Sequence, residues 1–320
     1  MIKRRIFFEI AAGLILLILP LASDRLFNAY YLDLATRIII IWIALLGYDI
    51  LAGYTGLVSF GQAMFFGLGA YGAAWALLYV APSLPLVLLI GVAASTTAAV
   101  IIGYLSIRTR GVYFILLTLV FAEFGYQAVF NGGEITGGQN GLSSLPKAPL
   151  EIGSIMISDW NDPTAAYYLA VIGFVVAYIF ARWIVGSPFG STLAAVRDND
   201  DRATYLGYNT ASIKRRAFTI SGMFAGFSGA LWAHHQSYVS PELFHWTLSG
   251  QFLIMTWLGG VGTLLGPLVG GAVFTYFADF LSSIMKNWLI IFGVVYVLVV
   301  LYAPQGLWGT LVSLVPRSAR

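Results

Sequence analysis

Five of the six residues from Arg197 to Arg202 are charged, in a chain whose charged residues amount to only 10%. Arg197 and Asp201, and Asp198 and Arg202, stand four apart, the spacing that pairs side chains along a helix. That is the chemistry of ion pairing and docking rather than of bond breaking. Ser, His and Asp all occur, but nothing places them as nucleophile, base and orienting acid. Cys is absent, which removes disulfides, thiol catalysis and thiolate metal sites. His234, His235 and His245 have no carboxylate cluster nearby; with Trp232 and Trp246 beside them, they fit an interfacial belt at the end of a span. No G-x-x-x-x-G-K-[ST] stretch exists, so the chain is not expected to bind or hydrolyse ATP itself. Metal and cofactor sites are not expected either.

Other residues draw notice because they interrupt apolar surroundings. Gly53, Gly56, Gly61, Gly67, Gly69 and Gly72 crowd one stretch that also holds Ser59 and Gln62. Small residues let helices approach closely in lipid. A broken helix whose freed backbone groups line a pathway is the second reading, and both can hold for different glycines. The stretch 259–271 has the same two readings. Glu123 ends an apolar run, where a charge is costly and often functional, unless a neighbouring helix bonds it near the outer half. Asp49 and Asp279 pose the same question, while Arg37 fits a side chain snorkelling from a helix end. Thr136, Gly137, Gly138 and Gln139 read as a tight turn.

The elements that must position these residues follow from composition. The chain is 59% hydrophobic with a mean hydropathy of +0.84, and too few charges remain to build a soluble surface. A net charge of +3 and no aromatic-basic interleaving argue against nucleic acid. Apolar runs fall near 6–22, 34–52, 60–80, 84–106, 112–130, 164–185 and 217–235, each close to the length needed to cross hydrocarbon. The first follows MIKRR and reads as a retained helix rather than a cleaved signal. The region 248–283, broken by GGVGTLLGPLVGG, is one long region or two spans with a kink or re-entrant turn; a last run covers 288–303. The expectation is an all-α polytopic membrane protein of eight to ten spans, one domain over 1–320, with some helices broken at Gly-rich stretches. Lys3, Arg4 and Arg5 put the N-terminus in the cytoplasm. Counting spans then places the basic segment 186–216 inside and the acidic segment 131–163 outside. Arg317 and Arg320 favour an even number of spans, most simply ten.

Read as one short helix over 190–206, the charged island puts Leu193, Val196, Ala203 and Leu206 on one face. Ser191 or Thr192 would cap its start, and Gly207 would end it. A solvated mixed-charge face is one reading; a docking element that carries force from a soluble partner into the membrane is the other.

Seven stretches, in order, resemble the LivM-like permeases of branched-chain amino acid importers of the ABC type. They are GYTGLVSFGQAMFFGLGAYGAA, TRGVYFILLTLVFAE, TGGQNGL, SPFGSTLAAVRDNDDRATYLGYN, KRRAFTISGMFAGFSGALWAHHQSYVSPE, LGGVGTLLGPLVGGA and APQGLWG. The resemblance implies that 186–216 is a cytoplasmic coupling segment. Ala195, Arg197, Asp198, Asp201, Arg202, Ala203 and Gly207 would then meet a nucleotide-hydrolysing subunit. Asp201, Arg202, Ala203 and Gly207 occupy an EAA-x-x-x-G pattern, with Asp for Glu and Arg for the first Ala; its later Ile-x-Leu-Pro part is missing. It also implies ATP-binding cassette subunits, a LivH-like permease partner, an extracytoplasmic solute-binding protein and an inner-membrane location. Gly53, Gly56, Ser59, Gln62, Glu123 and Thr136–Gly138 are candidates for the solute path. Branched-chain amino acids are the implied substrate, with urea, amides or aromatic acids as alternatives. A gradient-driven transporter or channel and a non-transporting scaffold are the rival functions.

Overall fold

The computed structural model describes residues 29–80, 83–147, 151–152, 155–156 and 162–284, then 290, 293–294, 297, 301 and 306–314. The expected runs at 6–22 and, for the most part, 288–303 lie outside the described residues. The described chain is almost wholly helical. In order come α1 (Ala29–Asp49), a π-helical turn (Ile50–Tyr54), α2 (Gln62–Tyr79), α3 (Leu84–Ser106) and α4 (Val112–Phe130). There follow α5 (Pro163–Gly186), α6 (Pro188–Asp198), α7 (Asp200–Tyr205), α8 (Thr210–Gln236), α9 (Trp246–Gly259), α10 (Leu265–Ile284) and α11 (Gly306–Leu314). Two short strands, Glu151–Ile152 and Ile155–Met156, pair antiparallel.

Among the described residues, five helical stretches are long and apolar enough to cross a membrane: Tyr30–Tyr54, Leu84–Ser106, Val112–Phe130, Pro163–Gly186 and Leu265–Ile284. Lipid offers no partner for a bare backbone group, so helices that satisfy themselves are the form such runs must take. The region 248–283 resolves into two helices, α9 and α10, joined by a sharp turn. With 14 residues, α9 is about 21 Å long, short of the hydrocarbon thickness.

At the centre lies α8, packed on α1, α2 and α3. Apolar attraction does not hold helices together in lipid, so shape must. A Cβ on Gly69 would fall 2.5 Å from the Cα of Gly226, and one on Gly91 would fall 2.6 Å from the carbonyl oxygen of Gly69. Backbones of α2, α3 and α8 therefore touch directly. Hydroxyls add cross-helix bonds, from Ser95 to the Gly222 carbonyl (2.7 Å) and from Ser228 to the Ile40 carbonyl (2.5 Å).

The 27 residues of α8 also separate two polar ends by about 40 Å. At its start lie α6, α7 and Arg110, which bonds Asp201. At its finish, Val239 pairs with Leu142 and the Ser237 carbonyl accepts from Leu145 N–H. The segment after α4 and the segment after α5 thus occupy opposite ends.

Because the atoms facing Gly69 are backbone, a larger residue there cannot be accommodated by a rotamer change. Gly69→Val is expected to cost at least about 3 kcal/mol and lower the melting temperature of purified protein. Gly186→Ala, where an added Cβ meets nothing within 4 Å, should leave it unchanged or slightly raised.

Candidate functional site

The charged island is two helices rather than one. Asn199 is extended (φ −163°, ψ 103°), and its side chain accepts from the Arg202 N–H at 2.8 Å, starting α7. Asn favours capping over continuing a helix, because its amide competes for backbone groups. The cap of α6 is Ser187, followed by Pro188, not Ser191 or Thr192; Asn209 caps α8. The two expected four-apart pairs are absent, since the break removes the helical geometry between them. Arg197 instead meets Asp198 (3.3 Å), Arg110 meets Asp201 (3.2 Å) and Lys214 meets Asp200 (2.6 Å). Leu193, Val196 and Ala203 are buried as expected, but Leu206 is turned outward and 72% exposed, beside Tyr205 at 89%. Ala195, Asp198, Asp201 and Arg202 are exposed. Gly207 takes φ +92° just after α7 and closes it.

Arg197 also reaches into the bundle. Its Nη1 donates to the carbonyl of Gly53 at 2.8 Å. Gly53 belongs to the π-helical turn, where the ordinary hydrogen-bond ladder is displaced and a carbonyl is left to accept. Gly56 (φ +76°) lies under the same arginine: a Cβ there would be 3.0 Å from Arg197 Cγ. One turn earlier, the wholly buried Asp49 accepts from Gly262 N–H (2.6 Å) and Leu264 N–H (3.0 Å) in the α9–α10 turn. That turn carries three positive-φ residues, Gly260, Gly262 and Leu264. A Cβ on Gly306 would fall 2.5 Å from Gly260 Cα, so the start of α11 rests there too. One joint therefore ties α6 to the ends of α1, α9, α10 and α11. Asp49, noticed in the sequence only as a charge in a greasy run, is its centre. The turn glycines downstream were the signal that it needed a backbone partner.

A second polar cluster surrounds the start of α2. Phe60 N–H donates to Thr118 Oγ1 (3.1 Å), Gly61 N–H to Ser59 Oγ (3.1 Å), Ala63 N–H to Ser249 Oγ (2.8 Å), and Tyr48 OH to the Ser59 carbonyl (3.2 Å). Thr118 is six residues into α4, about 9 Å from its start, so α2 begins inside the bundle. Gln62 is buried, and neither amide atom has a hydrogen-bond partner among the described residues. Glu123 lies further along α4, bonded by Gln127 (3.0 Å), and Asn131 bonds the Gln127 carbonyl (2.9 Å). Thr136 Oγ1 donates to the Val129 carbonyl (2.6 Å), which sets the Thr136–Gly138 turn on the far end of α4; Gly137 and Gly138 have positive φ. The candidate path residues thus divide. Ser59, Gln62, Glu123 and Thr136–Gly138 follow α4, whereas Gly53 and Gly56 belong to the Arg197 joint.

The histidines serve elsewhere. His235 Nε2 lies 2.9 Å from Asp33, which also pairs with Arg37 (3.0 Å); Asp279 meets Arg37 and accepts from the Tyr30 hydroxyl. His245 caps α9, and His234 is buried. No group of three His, Asp or Glu able to hold a metal occurs among the described residues.

A bundle of apolar helices with broken segments and a capped polar element at one end defines a membrane protein with several spans. The chain belongs to the family described as branched-chain amino acid transport system / permease component, which matches residues 30–303. It is therefore a membrane permease component of an ABC-type importer. It is 30% identical over 310 residues to the high-affinity branched-chain amino acid transport system permease protein LivM of Salmonella typhimurium, covering 91% of this chain and 73% of that one. The LivM of Escherichia coli gives the same figures. The guanosine ABC transporter permease protein NupQ of Bacillus subtilis is 30% identical over 146 residues, 45% of this chain and 41% of that one. No solved structure matches the chain.

Two outcomes check these contacts. Asp49→Leu should strand two buried N–H donors and lower stability by about 2–5 kcal/mol, with Asp49→Asn milder because it keeps an acceptor; thermal melts compare them. Burial opposes the charge on Asp200, but the Lys214 ammonium, with Thr210 and Arg110, outweighs it and holds the carboxyl below its ordinary range. A depressed acid stabilises the fold above its unfolded value near 4, and that contribution is lost as pH falls through the folded value. Asp200→Asn should therefore flatten the acid limb of a melting-temperature profile below about pH 4.

Proposed function

We propose that this chain is one membrane half of an ATP-driven importer for branched-chain or related small amino acids, and that α6 and α7 couple it to separate ATP-binding cassette subunits. The observation that carries this reading is the Arg197–Gly53 hydrogen bond. It connects a polar element outside the bundle to the π-helical turn, and through neighbouring Asp49 to the α9–α10 turn. A push on α6 is passed to four helix ends, those of α1, α9, α10 and α11. Packed cores shift between discrete arrangements rather than deform smoothly, so such a link favours switching. Tyr205 and Leu206 supply an exposed apolar knob on an otherwise charged element, the character of a protein contact.

Sidedness follows from charge. Arg108, Arg110, Arg197, Arg202 and Lys214–Arg216 gather near the α6–α7 end, which we assign to the cytoplasm. The N-terminus is then cytoplasmic, and 131–163 faces outward to receive a solute-binding protein. A second, LivH-like permease chain completes the core. The solute passes along α4, from the Thr136–Gly138 turn past Glu123 to the buried cluster of Ser59 and Gln62. Polar side chains on exposed positions of a spanning helix are costly against lipid, which supports a path there. The relatives named LivM support the amino-acid substrate; NupQ, named a guanosine ABC transporter permease, marks the breadth of solutes among similar chains.

Vesicles holding the reconstituted complex, with ATP inside or outside as orientation requires, test the reading. Arg197→Met is expected to cut leucine uptake at least about tenfold while the chain still inserts and assembles. Gly207→Val, forcing a β-branched residue to positive φ, should weaken partner-stimulated transport likewise. Normal uptake and normal ATPase stimulation in both variants would remove the coupling role. Uptake that follows an ion gradient without ATP would favour a secondary transporter.

A further inference from the structure

A cavity of about 680 Å³ opens on the outer surface of the bundle between α3, α5 and α8, away from the joint and from α4. Its two ends differ in chemistry. Toward the α6–α7 end it is lined by Arg215, Arg216, Ser187 and Ser212; toward the middle of the bundle it is lined by Val100, Phe180 and Ile220. Among the described residues no acidic side chain lines it. Arg215 and Arg108 both lie against the ring of Tyr104, with guanidinium carbons 5.5 and 4.7 Å from its centroid, which gathers two cationic groups around one aromatic side chain. Trp183, 69% exposed in the last turn of α5, stands at the same level. An amphipathic indole there matches the headgroup boundary.

We propose that this groove binds an anionic phospholipid, with the phosphate on Arg215 and Arg216 and an acyl chain along Val100, Phe180 and Ile220. Guanidinium groups match phosphate oxygens in geometry, and the Ser212 hydroxyl adds a donor for a further headgroup oxygen, whereas the Ser187 hydroxyl is already given to the Ile184 carbonyl. The apolar half selects lipid over a free phosphate. It lies on spanning helices, α3 and α5, whose exposed faces meet hydrocarbon, and a soluble anion would leave it uncovered. Basic pockets between spanning helices beside a headgroup layer are suited to acidic lipids for the same reason. The groove touches both α5, which leads into α6, and the first turns of α8, which follow α7. A lipid seated there holds the two flanks of the charged island together.

The purified complex, stripped of lipid in detergent, is offered equal amounts of phosphatidylglycerol and phosphatidylcholine with identical chains, and retained lipid is counted by native mass spectrometry. Wild type is expected to prefer phosphatidylglycerol about tenfold. The double variant Arg215→Gln with Arg216→Gln should bring that preference close to one, and Arg215→Lys with Arg216→Lys should keep most of it. A photoreactive phosphatidylglycerol should label peptides of α3, α5 and the start of α8. Equal retention of both lipids by wild type, an unchanged preference in the glutamine pair, or labelling confined to other helices would overturn the assignment. So would displacement of the lipid by inorganic phosphate at millimolar concentration. Should the glutamine pair fail to fold, wild-type lipid selectivity and the labelling map still decide the matter.

Discussion

The carboxylate of Asp49 has no exposure to solvent, and it ties the α9–α10 turn, which Thr263 also braces through the Gly260 carbonyl and the Gly266 N–H, to the end of α1. Between Gly260 and Leu264 the chain reverses through three left-handed residues, so its N–H groups point inward instead of along a helix. In a protein that lives in lipid these donors find no water. Asp49 accepts two of them, and a charged acceptor bonds more strongly than a neutral one. The short α9, the position of α10 and the seat of α11 all depend on that turn. So does the reach of Arg197, because Gly53 lies between Asp49 and Gly262 with no space for a side chain.

Around this centre the bundle is held by shape. The contact of α2, α3 and α8 is backbone against backbone, and serine hydroxyls bridge where side chains are too small to interlock. Close contact of this kind is rigid, and it lets α8 act as the fixed post between two polar ends. The broken elements lie beside it: the π-helical turn after α1, the loop 55–61 that folds back before α2, and the α9–α10 turn. A continuous post beside interrupted neighbours is the arrangement in which broken segments, not the packed helices, supply the freed backbone groups.

Much of this was legible in the residues. Apolar run lengths located α3, α4 and α5 to within a residue or two, because lipid leaves helices little choice of length. Gly207 was readable as a helix end because a positive φ is what glycine supplies at that position. The island itself was misread. Charge spacing suggested one continuous helix, but Asn199 and Asn209 were caps in plain view, and their preference for capping overrode the pairing of charges. The glycines were legible as a group and not as individuals. Gly69 serves packing and Gly53 serves the joint, and only the approach of Gly226 in one case and Gly262 in the other tells them apart. Gln62 could be noticed as a polar residue in a span, whereas its lack of a partner is a property of three dimensions.

Tyr205 and Leu206 stand almost bare at the end of a six-residue helix, and that has a bearing on biosynthesis. A lone copy of this chain, inserted and otherwise sound, presents a greasy tip to the cytosol on the assigned topology. On that topology, and with a partner that covers these two side chains in the assembled importer, an unassembled copy would carry its own mark for removal by the chaperones and proteases that bind exposed apolar groups.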